Sequence, residues 1–195
     1  MTGQSLFTKS LVFLIGVHDS LRLIRTAKGG LKIHTCWDDS LALPDLVNIT
    51  PARNHDVKGH PQSIFPKGTI VIEDRGYFDF SLMAARCAAD NYFVTRIKDN
   101  TVYEVLCQRT LPQGGEDQHI LKDEEIMVTS ANAHQSGMGL YALRRVVVYD
   151  QQNERTIEVL TNHFEWKAAT VAALYKKRWV PNNGKSLPVP CRTRE

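Results

Sequence analysis

The chain has 195 residues, 43% of them hydrophobic, with 24 Lys plus Arg against 21 Asp plus Glu and a formal net charge of +3. That length and composition suit one ordinary globular domain with a core of its own, and the mild basicity permits a nucleic-acid partner without demanding one. The four cysteines, Cys36, Cys87, Cys107 and Cys191, form no C-x-x-C pair, which argues against a zinc ribbon or a disulfide scaffold and for reduced cytosolic thiols.

The longest apolar run, Leu11 to Val17, is too short for the roughly 20 residues a bilayer span requires. Its flanks, Lys9 and His18-Asp19, offer no small-x-small cleavage site, so it reads as a buried strand and not as a signal peptide or a membrane span. A basic stretch follows, with Arg22, Arg25, Lys28 and Lys32 around a Gly29-Gly30 turn. Leu31 to Trp37 alternates with period two, as a strand does. Pro44-Asp45 breaks the chain before a further short strand, Leu46 to Thr50. Asn54-His55-Asp56 carries helix-capping chemistry, which predicts a short helix or loop up to Ile64. After the Pro66-Lys67-Gly68 turn, Thr69 to Ile72 is β-branched and apolar, the signature of a central strand. Phe80 to Cys87 has helical spacing and Asn91 stands where that helix would stop. Tyr92 to Ile97 resumes as a strand.

From 98 to 164 the pattern changes. Short strand-like runs, Val102 to Leu106, His119 to Leu121, Glu125 to Thr129, Arg144 to Tyr149 and Thr156 to Thr161, are separated by glycine-bearing turns. Glu165 to Trp179 is predicted as a helix, with Ala168, Ala169, Val171, Ala172, Leu174 and Tyr175 on its apolar face and Lys167, Lys176, Lys177 and Arg178 on its basic side. Pro181 ends it. Residues 182–195 show no apolar periodicity and are expected to be disordered. The domain reading is a core of 10–97 and 165–180, a β-rich insertion of 98–164, and a tail of 181–195.

Asp74 ends a buried strand beside a glycine turn, which suits a metal ligand or catalytic acid. It equally suits a helix cap. The wider pattern weighs on that choice. Lys28-Gly29-Gly30-Leu31-Lys32-Ile33-His34, Ile49-Thr50-Pro51-Ala52 with His55-Asp56, Asp74-Arg75-Gly76-Tyr77, Phe93 to Lys98, Leu160-Thr161-Asn162 and Leu174 to Trp179 stand in this order. Together they resemble the DDE transposases of bacterial insertion sequences, in the insertion sequence four group with its Y-x2-R-x3-E-x6-K signature.

The resemblance covers residues 10 to 180. It implies an α/β, ribonuclease-H-like mixed sheet flanked by helices, with a β-rich insertion before the final helix. It implies three carboxylates holding two divalent metals, usually Mg2+, for phosphodiester transfer. Asp74 matches the second of them, as a catalytic residue and metal ligand. Tyr175 and Arg178 match the signature's Tyr and Arg and are expected at DNA phosphate, with Lys176 and Lys177 beside them. Arg75 could position phosphate or pair with Glu73.

The chain departs from the pattern at three positions. Asn182 occupies the expected Glu position, and an amide is a poor replacement for a carboxylate. Val189 stands at the signature's Lys. No carboxylate falls at Phe7 to Ser10, where the first Asp is expected. The expectation is therefore a truncated transposase core with impaired catalysis, cytoplasmic, whose partners are transposon-end DNA and a second copy or a full-length transposase. Asp19, Asp38 or Asp39 could substitute for the missing acids, and a regulatory module or a decayed fragment are the competing readings.

Other residues take plainer readings. His55 and His60, near Gly59 and Pro61, read as a solvated loop and not a metal pair. Asp56 reads as a helix N-cap in preference to an outer-shell acid, Asp38 and Asp39 as turn residues, and Trp179 as core. Arg22, Arg25, Lys28 and Lys32 read either as a solvated face or as phosphate contacts.

Overall fold

β4, Ile70–Glu73, organises the molecule. Its four residues are all buried, as a β-branched run covered on both faces should be. The computed structural model describes residues 11–17, 31–38, 43–51, 53–60, 65–111 and 119–177. β4 pairs in parallel with β1, Leu11–Val17, in the register Leu11↔Ile70 to Leu14↔Glu73, and on its other side with β5, Tyr92–Arg96, in the register Ile70↔Tyr92 to Ile72↔Val94. β2, Leu31–Asp38, lies antiparallel to β1, and β3, Leu43–Pro51, lies antiparallel to β2 at the sheet edge. The resulting order β3-β2-β1-β4-β5, with three parallel strands inside and an antiparallel hairpin outside, is the ribonuclease-H-like arrangement that the resemblance implies.

The β-rich segment is an antiparallel meander of β6, Tyr103–Gln108, β7, Ile120–Val128, β8, Leu143–Asp150, and β9, Arg155–Thr161. It does not stand apart. β9 pairs antiparallel with β5 from Val94↔Thr161 to Arg96↔Val159, so nine strands form one sheet. Asn162 closes this seam, its Oδ1 accepting from Phe93 N at 3.0 Å while its Nδ2 donates to Asn91 O at 2.8 Å.

Two runs expected as separate strands, 119–121 and 125–129, are a single strand with a bulge between Ile120 and Lys122. The charged stretch Lys122 to Glu125 imitates a turn in sequence. In the fold, Asp123 and Glu124 are buried and bind Arg144 and Arg145 of the facing strand, a cross-strand pairing that one strand's pattern cannot reveal. A short helix, α2, Ala131–Gln135, also escaped the sequence reading. Five residues are too few to show a period, and the helix is set by Ser130 accepting from Ala133 N.

Helices cover both faces. α1, Phe80–Ala88, is capped by Asp79, whose carboxylate accepts from Ser81 N and Leu82 N. It ends ahead of Asp90, which takes the left-handed conformation at φ 54°. Phe80 and Met83 of α1 pack with Phe93, Leu160 and Ile126. α3, Ala168–Lys177, packs Ala168, Val171 and Tyr175 against Ile70, Ile72, Val94 and Val159. Phe93 and Val94 are consecutive and face opposite clusters, so α1 and α3 lie on opposite sides of the sheet. No helix among the described residues is long and apolar enough to cross a membrane.

Candidate functional site at the carboxyl ends of β4 and β5

The chain leaves β4 at Asp74 in extended conformation, φ −71° and ψ 154°, and enters a single 3-10 turn, Arg75–Tyr77. Alternation along β4 puts Ile70, Ile72 and Asp74 in line on the α3 side, and Val71 and Glu73 on the other. Asp74 is half-buried. It occupies the cap position of the turn without a side-chain cap hydrogen bond, and Asp79, not Asp74, caps α1.

Glu73 is 1% exposed, and its Oε1 lies 2.5 Å from Arg86 Nη2 and 2.9 Å from His60 Nε2. Two expectations change here. His60 is not a solvated loop residue but a buried partner of an ion pair, since a carboxylate this deep needs donors. Arg75 does not pair with Glu73. It reaches Asp99 at 2.6 Å. His55, by contrast, is exposed.

Tyr77 is buried beside these groups. Burial above all, then the negative charges of Asp56, Asp74 and Glu73, pushes its phenol above the ordinary range. Its hydroxyl shares a hydrogen bond with His34 Nδ1 at 2.5 Å, and His34 Nε2 shares another with Thr50 Oγ1 at 2.8 Å. Asp56 is not a cap either. His55 holds the cap position of the 3-10 turn Asp56–Gly59, and Asp56 Oδ1 accepts from Lys32 Nζ at 2.8 Å. Its Oδ2 lies so near Gly76 that a Cβ there would stand 2.4 Å away. Four separated sequence pieces, at Lys32 to His34, Thr50, Asp56 and Asp74 to Tyr77, are thus one bonded unit around the end of β4.

Above this unit lies an open cleft of about 500 Å³, lined by the cations Lys32, Arg53, Arg75 and Lys98 with Asp56 and Asn100. Lys98 donates to Phe78 O at 2.9 Å and sits over the Phe78 ring at 5.4 Å. The sequence reading missed Arg53 and Lys98 as site residues. The available signal was topological: β4 and β5 are parallel neighbours, and crevices form beyond the carboxyl ends of such strands.

The remaining predicted residues lie elsewhere or beyond view. Tyr175 is 5% exposed, packed in the cluster that holds Ile70 and Ile72. Lys176 and Lys177 are exposed in the last turn of α3. Lys176 shares with Asp150 and Arg155 a separate groove between α3 and the meander. Arg178, Asn182, Val189, Trp179, Asp19, Asp39, Phe7 to Ser10, Arg22, Arg25 and Lys28 fall outside the described residues, as does the tail. Asp38 pairs with Val12, and Val12 with Val71. That is three residues, roughly 10 Å at strand rise, from the level of Asp74, so Asp38 is not brought to Asp74.

A two-metal site needs several carboxylates. Among the described residues no group of three metal-ligating side chains occurs. Asp56 is engaged by Lys32, and Glu73 by Arg86 and His60. The described residues therefore do not by themselves fit a pair of divalent ions.

Comparison with known proteins agrees with this architecture. Residues 22–180 match the transposase DDE domain. The chain is 32% identical over 150 residues, 77% of its length, to the candidate transposase y4zB of Sinorhizobium fredii, covering 41% of that protein. It is 26% identical over 153 residues, 78% of its length, to a Geobacillus stearothermophilus protein assigned as the transposase of insertion sequence element IS5377, covering 38% of it. The chain thus spans about two fifths of each relative. With a ribonuclease-H-like sheet, an Asp-Arg-Gly-Tyr turn at the end of β4 and a match over most of its residues, the chain belongs to the DDE transposase family.

Proposed function

We propose that this chain is an insertion-sequence transposase core of the insertion sequence four group that engages transposon-end DNA at the carboxyl ends of β4 and β5. The observation that carries the reading is Asp74 at the end of β4, followed at once by Arg75 and Gly76, which line a cleft dominated by cations. In this reading Asp74 is a metal ligand for phosphodiester strand transfer, and Arg75 stands where it meets backbone phosphate. Tyr175, Lys176, Lys177 and Arg178 belong to the same DNA-binding set by resemblance to the signature.

Chemistry in this chain is impaired. Asn182 replaces the expected Glu, the Phe7 to Ser10 stretch holds no acid, and the acids flanking Asp74 are occupied by Lys32, Arg86 and His60. A core that grips DNA without cutting it would act as a regulator, alone or paired with a complete transposase, and the lack of a carboxylate cluster among the described residues favours that role as the second reading. Calorimetry with Mg2+ or Mn2+ on the wild-type chain beside Asp74→Ala tests both. The expected result is weak or undetectable binding in both, with no oligonucleotide nicking. Tight binding lost in Asp74→Ala, together with metal-dependent nicking, would overturn the impairment and restore an active enzyme.

A further inference from the structure

The cleft separates its cations into two kinds. Lys32 and Arg75 are neutralised by Asp56 and Asp99, at 2.8 and 2.6 Å. Arg53 and Lys98 have no carboxylate ion-pair partner among the described residues, so the cleft's uncompensated charge resides on these two. They come from different places, the loop after β3 and the segment after β5, and line one cleft because the 3-10 turn Asp56–Gly59 packs against the Arg75–Tyr77 turn and is tied to β2 by the Lys32–Asp56 pair. Lys98 is also held before any ligand arrives. One ammonium donor is spent on Phe78 O and the charge rests over the Phe78 ring, which leaves two donors on a side chain whose freedom is already reduced. Asn100 adds amide donors on the same wall.

We infer that Arg53 and Lys98 form a seat for a non-scissile backbone phosphate of the DNA strand, next to the phosphate at Asp74, and that this seat sets strand position without reading sequence. The inference rests on the DNA-binding reading above. Arg53 supplies planar, forked donors suited to a phosphate, and Lys98 supplies a fixed point charge. Neither approaches its ligand with a carboxylate competing for it, as Arg75 would with Asp99. Apart from the exposed His55 imidazole, the side chains lining the cleft are charged or amide groups, which fits backbone contact in preference to base contact.

The test is salt-dependent binding of the full chain to a labelled DNA duplex, measured by fluorescence anisotropy over a range of salt concentrations and with two unrelated sequences. Arg53→Gln and Lys98→Gln are each expected to lower the slope of log affinity against log salt by about one, equally for both sequences. Lys67→Gln removes the same charge from a residue at the amino end of β4, where it pairs with Asp90, and should leave the slope unchanged. Lys98 is half-buried, so exposed Arg53 carries the decision if Lys98→Gln melts early. Unchanged slopes in Arg53→Gln would overturn the seat while leaving the transposase reading intact. Slopes lowered equally by Lys67→Gln would reduce it to general surface charge. A wild-type chain that binds neither duplex would overturn both the seat and the DNA-binding reading.

Discussion

At the scale of single residues, the site is held by close approaches that leave no room for a methyl group. Gly59 lies against the His34 ring, and a Cβ there would stand 2.2 Å from Cδ2 and Nε2. The ring cannot retreat, since Tyr77 and Thr50 hold its two nitrogens. Gly59→Ala is therefore expected to cost about 3 kcal/mol, the upper end of overpacking, read as a fall in Tm of roughly 6–12 °C. Gly68→Ala serves as the contrast. That residue sits at φ +83° with open space around it, so only backbone strain of about 1 kcal/mol opposes the change. Equal losses in the two variants would show that His34 is not fixed as described. Sequence alone flagged His34 through the Lys-Gly-Gly-Leu-Lys-Ile-His stretch, but the reason for its presence, a hydrogen-bonded bridge between β2, β3 and the Asp74 turn, depends on pairing between distant segments.

At the scale of elements, Arg144 does for α3 what His34 does for the turn. It is 2% exposed. Its Nε and Nη2 grip both oxygens of Asp123, at 2.8 and 2.6 Å, and its Nη1 donates to Trp166 O, at 2.5 Å, and to Phe164 O. One β8 side chain thus links β7 to the segment that launches α3. Arg144→Met leaves buried Asp123 with only the longer Arg109 contact at 3.8 Å, and should lose about 3 kcal/mol in urea unfolding, the low end for a broken buried pair. Arg144→Met with Asp123→Leu should recover much of that, because a well-packed apolar pair can equal a buried ion pair. A double variant as unstable as the single one would assign the cost to the lost carbonyl bonds instead. This element also shows what was legible beforehand. β4, α1, β5 and α3 could be read because their apolar periods are long and their neighbours apolar. β7 was read in two pieces because its charges are satisfied by β8, and α2 was missed because it is one turn fixed by a serine cap. Asp74 could be located, whereas the cleft beside its turn could not, since Arg53 and Lys98 come to share it only through topology.

At the scale of the whole molecule, the buried acids and thiols set how stability responds to alkali. Cys36 is 1% exposed, and burial, helped by the charge of Asp45, pushes its thiol from 9.0 up to about 12. The folded state holds this proton while the unfolded chain releases it, so the stabilisation is complete below pH 9 and is lost as pH rises towards 12. Each such group contributes a slope of about 1.4 kcal/mol per pH unit in that window, and Tyr77, shifted in the same direction, extends it. Cys36→Ala should flatten the fall in urea midpoint between pH 9 and 11, and an unchanged slope would place the titrating group elsewhere. The single nine-stranded sheet has a consequence for the order of events during synthesis. β5 is complete by Arg96, yet its outer edge is paired by Val159 to Thr161 and latched by Asn162. A growing chain must therefore hold that edge open while more than sixty residues emerge, and such long-range closure is slow and prone to mispairing. The β5–β9 seam is therefore expected to close late in folding, and a chain that ends before β9 is expected to expose the β5 edge to mispairing.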